Sequence, residues 1–245
     1  MSSTKPVVFT TLWQPDDAFS KRHIHGYNLH HVERFVKNVY RHLGVSVDIV
    51  VLVDKYWMDR VMDGEAEAVW PTRFIEVEGL CGGWSMVMEG FNPVHGFPRG
   101  CWCGLDTVFM NNWYDILTCD LPVGLPKDPY MRGKPCNAVT TFTRAAADLM
   151  YFTYVKRILD TKEWWEGSLM AGQFSEMCFQ RLLWAQEGWK TLNDLFPGRL
   201  ISYKAHFKTN PCSLKQASVV YFHGTPKMWD LPVDDPVAKE WLRND

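Results

Sequence analysis

Gly100-Cys101-Trp102-Cys103-Gly104-Leu105-Asp106-Thr107-Val108-Phe109 decides how the rest of the chain is read. Small and apolar residues fill it. It reads as a buried strand that reaches an acidic residue, Asp106, and then runs on through Thr107-Val108-Phe109. A lone carboxylate among Trp102, Leu105, Val108 and Phe109 is costly to bury, so Asp106 calls for a metal, a hydrogen-bond donor or water. The end of a central strand in an α/β sheet is also where ligands bind. Far along the chain, Ala217-Ser-Val-Val-Tyr-Phe-His-Gly-Thr-Pro-Lys-Met-Trp229 repeats the pattern. This second apolar strand delivers His223 and then Lys227. A carboxylate, an imidazole and a lysine at strand ends suit a divalent cation and a diphosphate.

The other strands and helices fit an α/β chain. Val7 to Leu12 is a β-branched and aromatic run followed by Gln-Pro-Asp-Asp, a strand and then a loop. Leu29, Val32, Phe35, Val36, Val39, Tyr40 and Leu43 recur at helical spacing, and Gly44 ends the helix. Val47 to Val53 is almost continuously apolar and ends at Asp54, as a central parallel strand does. Strand, helix, strand is a βαβ opening. Trp57 to Met62 and Trp84 to Phe91 read as short helices, and Thr72 to Val77 as a strand. Gly79 to Gly83 is a turn, and Pro122 to Pro135 a loop over one face of the sheet. Ala138 to Phe142 is a strand. Helical stripes follow from Ala147 to Leu159 and from Met177 to Trp189, the second with Ser175 as its N-cap. Late strands cover Leu200–Tyr203 and Ser218–Phe222, and a polar tail with one helical turn closes the chain.

Composition narrows the class of function. The chain has 245 residues, 47% of them hydrophobic and 22% charged, as in a globular protein. Twelve Trp and fourteen Phe favour a large core or a cleft with aromatic walls. A formal net charge of −2 supplies no general pull toward nucleic acid or anionic membrane. No apolar run is long enough to span a bilayer, and Met-Ser-Ser-Thr-Lys-Pro is not a signal sequence. Seven scattered Cys with no CxxC pair read as reduced thiols, and the expected location is cytoplasmic.

Several segments, in order, resemble nucleotide-sugar glycosyltransferases of the GT-A fold, bacterial and phage ones distantly related to the glycogenin-like family. Gly26-Tyr27 and the helix after it resemble the base-binding start, and Val50-Val51-Leu52-Val53-Asp54 the second strand. Gly83-Trp84-Ser85 precedes the helix before the metal strand. Gly104-Leu105-Asp106-Thr107-Val108 falls where the family carries Asp-x-Asp-Thr-Val. Cys136-Asn137-Ala138-Val139 is similar to an acceptor-side Asn-Ser-Gly-Val. Pro197-Gly-Arg-Leu-Ile-Ser-Tyr-Lys204 and Phe222-His-Gly-Thr-Pro-Lys-Met-Trp229 resemble the two closing motifs, the last being the most specific. The resemblance implies an α/β fold of GT-A type, Rossmann-like, with a mixed and mostly parallel sheet. It implies a single domain over residues 1–245, with its core at about 7–229 and a C-terminal tail at 230–245.

The activity it implies is transfer of a sugar from a UDP-sugar, or another nucleotide sugar, with Mn²⁺ or Mg²⁺. The cation offsets charge on the leaving diphosphate. By resemblance Asp106 and His223 are the metal ligands, and Lys227 meets the diphosphate as a point charge. Tyr27 stacks on the base, and Asp54 bonds to base or ribose. Thr10, Leu105 and Gly224 complete the donor site, and Asn137 faces donor sugar or acceptor. For an inverting enzyme the candidate bases are Asp120, Asp128 and Glu176, with Glu176 favoured for its place near the family's Asp-Gln; a retaining enzyme needs none. The acceptor is left open between a glycan, a small molecule and a modified nucleobase in DNA.

Two departures stand out. Gly104 replaces the first acidic residue of the pattern, and Met86 stands where the family often has Lys. They keep open a degenerate, nucleotide-binding relative without turnover. His23, His25, His30 and His31 read as surface histidines, since no acidic or Cys partner sits at a zinc spacing. Trp164-Trp165 reads equally as core packing or a sugar platform. Gly79-Leu-Cys-Gly-Gly83 lacks the Lys and Ser/Thr of a phosphate loop, and no Gly-x-Ser-x-Gly elbow is present.

Overall fold

The computed structural model describes residues 5–14, 26–65, 72–79, 85–160 and 176–243. Strand β1 (Val7–Leu12) pairs in parallel with β2 (Asp48–Val53), which pairs in parallel with β3 (Thr72–Glu76). On its other side β1 pairs in parallel with β4 (Arg99–Cys103). The strand β5 (Thr107–Phe109) belongs elsewhere. Antiparallel β6 (Val123–Gly124) and β7 (Val139–Thr143) complete a six-stranded sheet of order β3-β2-β1-β4-β7-β6. A second, three-stranded sheet has the order β5-β9-β8, with β8 at Leu200–Ser202 and β9 at Val219–Tyr221.

The expected continuous strand through Asp106 is therefore two strands in two sheets. The first ends at Cys103, Gly104 to Asp106 turn, and Thr107 begins the second. Thr107 N–H donates to the Gly104 carbonyl at 3.1 Å and closes the turn. The run is apolar on both sides of the turn because each half is buried in its own sheet, so hydropathy carries no mark of the break.

Helices cover both faces of the large sheet. They are α1 (Leu29–Leu43), α2 (Lys55–Met62), α3 (Met86–Glu89), α4 (Tyr114–Leu117), α5 (Arg144–Asp160), α6 (Glu176–Glu187) and α7 (Leu192–Leu195), while α8 (Pro236–Leu242) packs on α1 and the small sheet. Alternation along β1 sends Val8 and Leu12 toward α1, where Val32, Phe35, Val36 and Val39 meet them. Val7 and Phe9 face the other way, toward Met88 of α3 and Met150 of α5. Asn28 starts α1, its side chain accepting from the backbone of His30 and His31.

Two other readings change. The loop from Pro122 to Pro135 contributes β6, hydrogen-bonded to β7. The polar tail is a packed helix: Asp235 caps α8, and Val237, Ala238 and Trp241 are buried. Glu240 of α8 pairs with Arg41 at 2.9 Å and His42 at 3.0 Å on α1. The Gly79–Gly83 turn, the Ser175 cap and Trp164-Trp165 lie wholly or partly outside the described residues.

One buried amide ties α1 to the second sheet. Asn38 Nδ2 donates to the Phe109 carbonyl at 2.9 Å, and Phe109 N–H donates to Asn38 Oδ1 at 2.6 Å. Both ends of the Phe109 peptide lose their partner in Asn38→Ala. That variant is expected to be less stable by about 2–4 kcal/mol, read by urea denaturation.

Candidate active site

Strand directions bring one edge of each sheet to a common cleft. β1 and β4 are parallel, so Leu12-Trp13 and Gly104 to Asp106 leave the large sheet at the same end. β7 runs antiparallel to β4, with Cys103 opposite Val139, so Asn137 and Ala138 enter the sheet at that end too. In the small sheet Thr107 lies opposite Tyr221. Asp106, one residue before β5, therefore meets Phe222 and His223, just beyond β9. The resulting cleft holds about 360 Å³ and is walled by Trp13, Trp102, Tyr27, Leu105 and Phe222.

Asp106 is the centre of its polar contacts. The Lys227 ammonium donates to Asp106 Oδ2 and is buried with only 4% of its surface exposed. The Tyr27 hydroxyl also bonds to Asp106; burial first, and then the Asp106 charge, push the Tyr27 pKa well above its usual value. His223 lies beside this group, its ring edge-on to Tyr221 at 5.1 Å and to Tyr130 at 5.7 Å. Burial lowers the His223 pKa, so the imidazole is neutral at neutral pH, and its Nε2 has no hydrogen-bond partner among the described residues.

The same cleft carries a second carboxyl. Asn137 Nδ2 donates to Glu176 Oε1 at 2.7 Å, while Glu176 Oε2 is buried with no side-chain partner among the described residues. Glu176 opens α6 and is only 4% exposed. Burial raises its pKa to about 7, against the opposing pull of the Asn137 hydrogen bond. Asp128 also lines the cleft and is paired with Arg181 of α6.

The structure thus brings together Tyr27, Leu105, Asp106, Asn137, Glu176, His223, Gly224 and Lys227. Thr10 and Asp54 are not among the residues lining this cleft. Thr10 is fully buried within β1. Asp54 caps α2, accepting from Trp57 N–H at 3.0 Å and from Gln14 N–H at 2.5 Å. Asp120 is exposed and also lies away from the cleft lining. Tyr27 presents its ring edge-on to Trp229 at 5.5 Å. His30 is exposed, but His31 is half-buried, caps α1 with Asn28 and packs on Trp229 at 4.4 Å. Its pKa falls to about 4, chiefly through burial. His23 and His25 lie outside the described residues.

Both departures acquire a physical setting. Met86 is buried among Phe and Val side chains on the α3 face of the sheet, remote in character from a phosphate-binding position. A Cβ at Gly104 would stand 2.7 Å from Asp106 Oδ1, so any side chain there displaces the carboxylate. Sequence reading missed Trp13 and Trp102 at the cleft, and Arg181 behind it as the partner of Asp128. Trp102 alternates correctly for one sheet face, but alternation alone does not tell a cleft from a core.

No family model and no curated protein sequence matches the chain. Solved structures do. The glycosyltransferase GlyE of Streptococcus pneumoniae TIGR4 is 14% identical, with a TM-score of 0.57 over 98% of this chain and 60% of that one. The galactosyltransferase LgtC, solved with donor and acceptor sugar analogs, is 12% identical, with a TM-score of 0.54 over 96% of this chain and 93% of that one. The bifunctional glycosyltransferase WbbM is 11% identical, with a TM-score of 0.57 over 99% of this chain and 50% of that one.

This is the GT-A glycosyltransferase fold. The chain spans about three fifths of the length of GlyE and nearly all that of LgtC. Within the GT-A fold the sheet is mixed and mostly parallel, as the resemblance implied. No helix among the described residues is long and apolar enough to cross a membrane.

Glu176 makes the cleft pH-sensitive. Its folded pKa of about 7 exceeds the ordinary value of 4.5, so the folded state holds a proton that the unfolded chain releases between these values. The stability this confers is full below pH 4.5 and is lost as pH rises through about 7. Glu176→Gln removes this dependence. Wild type minus variant stability is expected to fall by about 3 kcal/mol between pH 4.5 and 8, measured by urea denaturation.

Proposed function

We propose that this chain is a glycosyltransferase that moves a sugar from a nucleotide-sugar donor, a UDP-sugar in the first instance, to an acceptor hydroxyl. The observation that carries the reading is the convergence of Asp106, His223 and Lys227 with Asn137 and Glu176 in one cleft. A fold alone does not imply a function. This constellation supplies what the reaction needs: groups for a charged leaving diphosphate on one side and a proton acceptor on the other.

The donor set bears on the metal. No group of three His, Cys, Asp or Glu side chains is placed to hold an ion among the described residues. Two protein ligands are nevertheless compatible with Mn²⁺ or Mg²⁺ carried by a diphosphate, since such ions keep waters and phosphate oxygens in their shell. The neutral, unpartnered Nε2 of His223 and the nearby Asp106 carboxylate fit that role. Bound there, the ion would offset negative charge on the departing diphosphate.

The chain's own residues account for the rest. Lys227 contributes a positive charge beside the phosphates, and Tyr27 orients Asp106 through its hydroxyl. Asn137 holds Glu176 Oε1, and Oε2, with no side-chain partner among the described residues, serves the acceptor. In the inverting form of the reaction the acceptor oxygen bonds to the anomeric carbon as the bond from that carbon to the diphosphate oxygen breaks. The acceptor proton passes to Glu176 Oε2. A carboxyl with a pKa of about 7 is suited to such a transfer near neutral pH.

UDP with Mn²⁺ is expected to stabilise the protein, by about 2.7 kcal/mol at a hundredfold excess over Kd, and chelation is expected to remove the effect. Asp106→Ala and His223→Ala should each abolish the metal-dependent part of the shift. Unchanged nucleotide binding in both would refute the site assignment. A second reading, a nucleotide-binding relative without turnover, is favoured by the bare Gly104. Sugar release from UDP-sugars by the wild type counts against it; a wild type that binds UDP with Mn²⁺ and releases no sugar from any UDP-sugar would establish it.

A further inference from the structure

The charges around the cleft are almost all matched. Lys227 is paired with Asp106, and Arg181 with Asp128. A donor diphosphate brings more negative charge than such a balanced site offsets. One cation at the rim has no carboxylate among the described residues. Lys204 lies in a short π-helix, Tyr203–Phe207, that follows β8. Its ammonium donates to the backbone carbonyl of Thr225, a neutral acceptor in the loop that carries His223 and Lys227.

Gly224 is the opening through which this charge reaches the cleft. The glycine lines the cleft and has a φ of 58°, a left-handed conformation that side chains disfavour. A Cβ there would stand 3.7 Å from Lys204 Nζ, so the bare backbone leaves the ammonium near the cleft edge. The imidazole of His223 is close enough that the Lys204 charge contributes to lowering its pKa. β8 and β9 run in parallel, with Ser202 opposite Tyr221. The residues just after each strand, Lys204 and His223, therefore emerge on the same side.

We propose that Lys204 binds the diphosphate of the nucleotide donor across Gly224, as a second cation beside Lys227. The proposal rests on the nucleotide-sugar reading of the cleft. Its chemistry is that of an ammonium whose hydrogen bond to a neutral carbonyl leaves its charge available to an anion. A phosphate group arriving at Gly224 finds that charge without first displacing a carboxylate, whereas Lys227 is engaged by Asp106 from the outset.

Binding of pyrophosphate, UDP and uridine, each with Mg²⁺, can be measured calorimetrically for the wild type, Lys204→Gln, Lys204→Arg and Lys208→Gln. Glutamine retains a donor for the Thr225 carbonyl and loses the charge. Lys208 is exposed four residues on, over the Tyr203 ring at 5.2 Å, and serves as the charge control. Lys204→Gln is expected to weaken pyrophosphate and UDP about tenfold while leaving uridine unchanged. Lys204→Arg should restore most of the affinity, and Lys208→Gln should have no effect. Equal UDP and pyrophosphate affinity in the wild type and Lys204→Gln overturns the proposal while leaving the nucleotide-sugar reading intact. Equal losses in Lys204→Gln and Lys208→Gln also overturn it, by reducing the effect to general surface charge. A wild type that binds neither UDP nor pyrophosphate removes the nucleotide-sugar reading and this proposal together.

Discussion

The ion pair between Asp106 and Lys227 joins residues 121 positions apart in the chain. A buried ammonium without a counter-charge would be strongly unfavourable, and so would the carboxylate. Paired, they hold the turn between the two sheets against the loop that leaves β9. The Tyr27 hydroxyl adds a further bond to the same carboxylate and ties in the segment before α1. Three parts of the chain are thus registered on one side chain. Breaking such a buried pair typically costs about 3–5 kcal/mol, because the survivor is left charged and alone. The pair also gives the cleft a charge distribution that an anionic ligand must reorganise.

Two carboxyls share this cleft in different surroundings. Asp106 faces a lysine, whereas Glu176 faces an amide and an apolar wall. An adjacent cation favours an ionised carboxyl, while burial favours the neutral form. The two carboxyls consequently offer different chemistry within a space of about 360 Å³. A negative group is matched to the Asp106 side when cations accompany it. The Glu176 side suits a proton in transit.

The closing helix supports the site from behind. Trp229, in the turn after Lys227, packs on His31 at 4.4 Å and lies 6.0 Å from Trp241 of α8. Glu240, one residue before Trp241, is bound by Arg41 and His42. Helix α1, the His223–Trp229 loop and α8 thereby form one packed unit. The position of Lys227 depends on that unit as much as on its own strand.

Periodicity was enough for the regular elements. The β-branched and aromatic run of Val7–Leu12, the helical stripe from Leu29 to Leu43 and the apolar run before Asp54 each follow from the local backbone. The ordered motifs from Tyr27 to Trp229 likewise pointed to the GT-A fold and to Asp106, His223 and Lys227 as neighbours. Other features depend on partners distant in the chain and leave no periodic trace. Hydropathy does not register that Gly104 to Asp106 pass from one sheet to another, because both sides of the turn are equally buried. The polar pattern of residues 230–243 conceals a docked helix, since its charged Glu240 is satisfied by Arg41 and His42 across the fold. The same holds for Lys204, which ends a recognised motif but gains its meaning from the Thr225 carbonyl and the open Gly224. Sequence alone determined the strands and helices whose hydrophobic period is local, and which residues carry charge. Tertiary structure decided which charges are neutralised by a partner, because the electrostatic cost of burial depends on distances that only the packed chain sets.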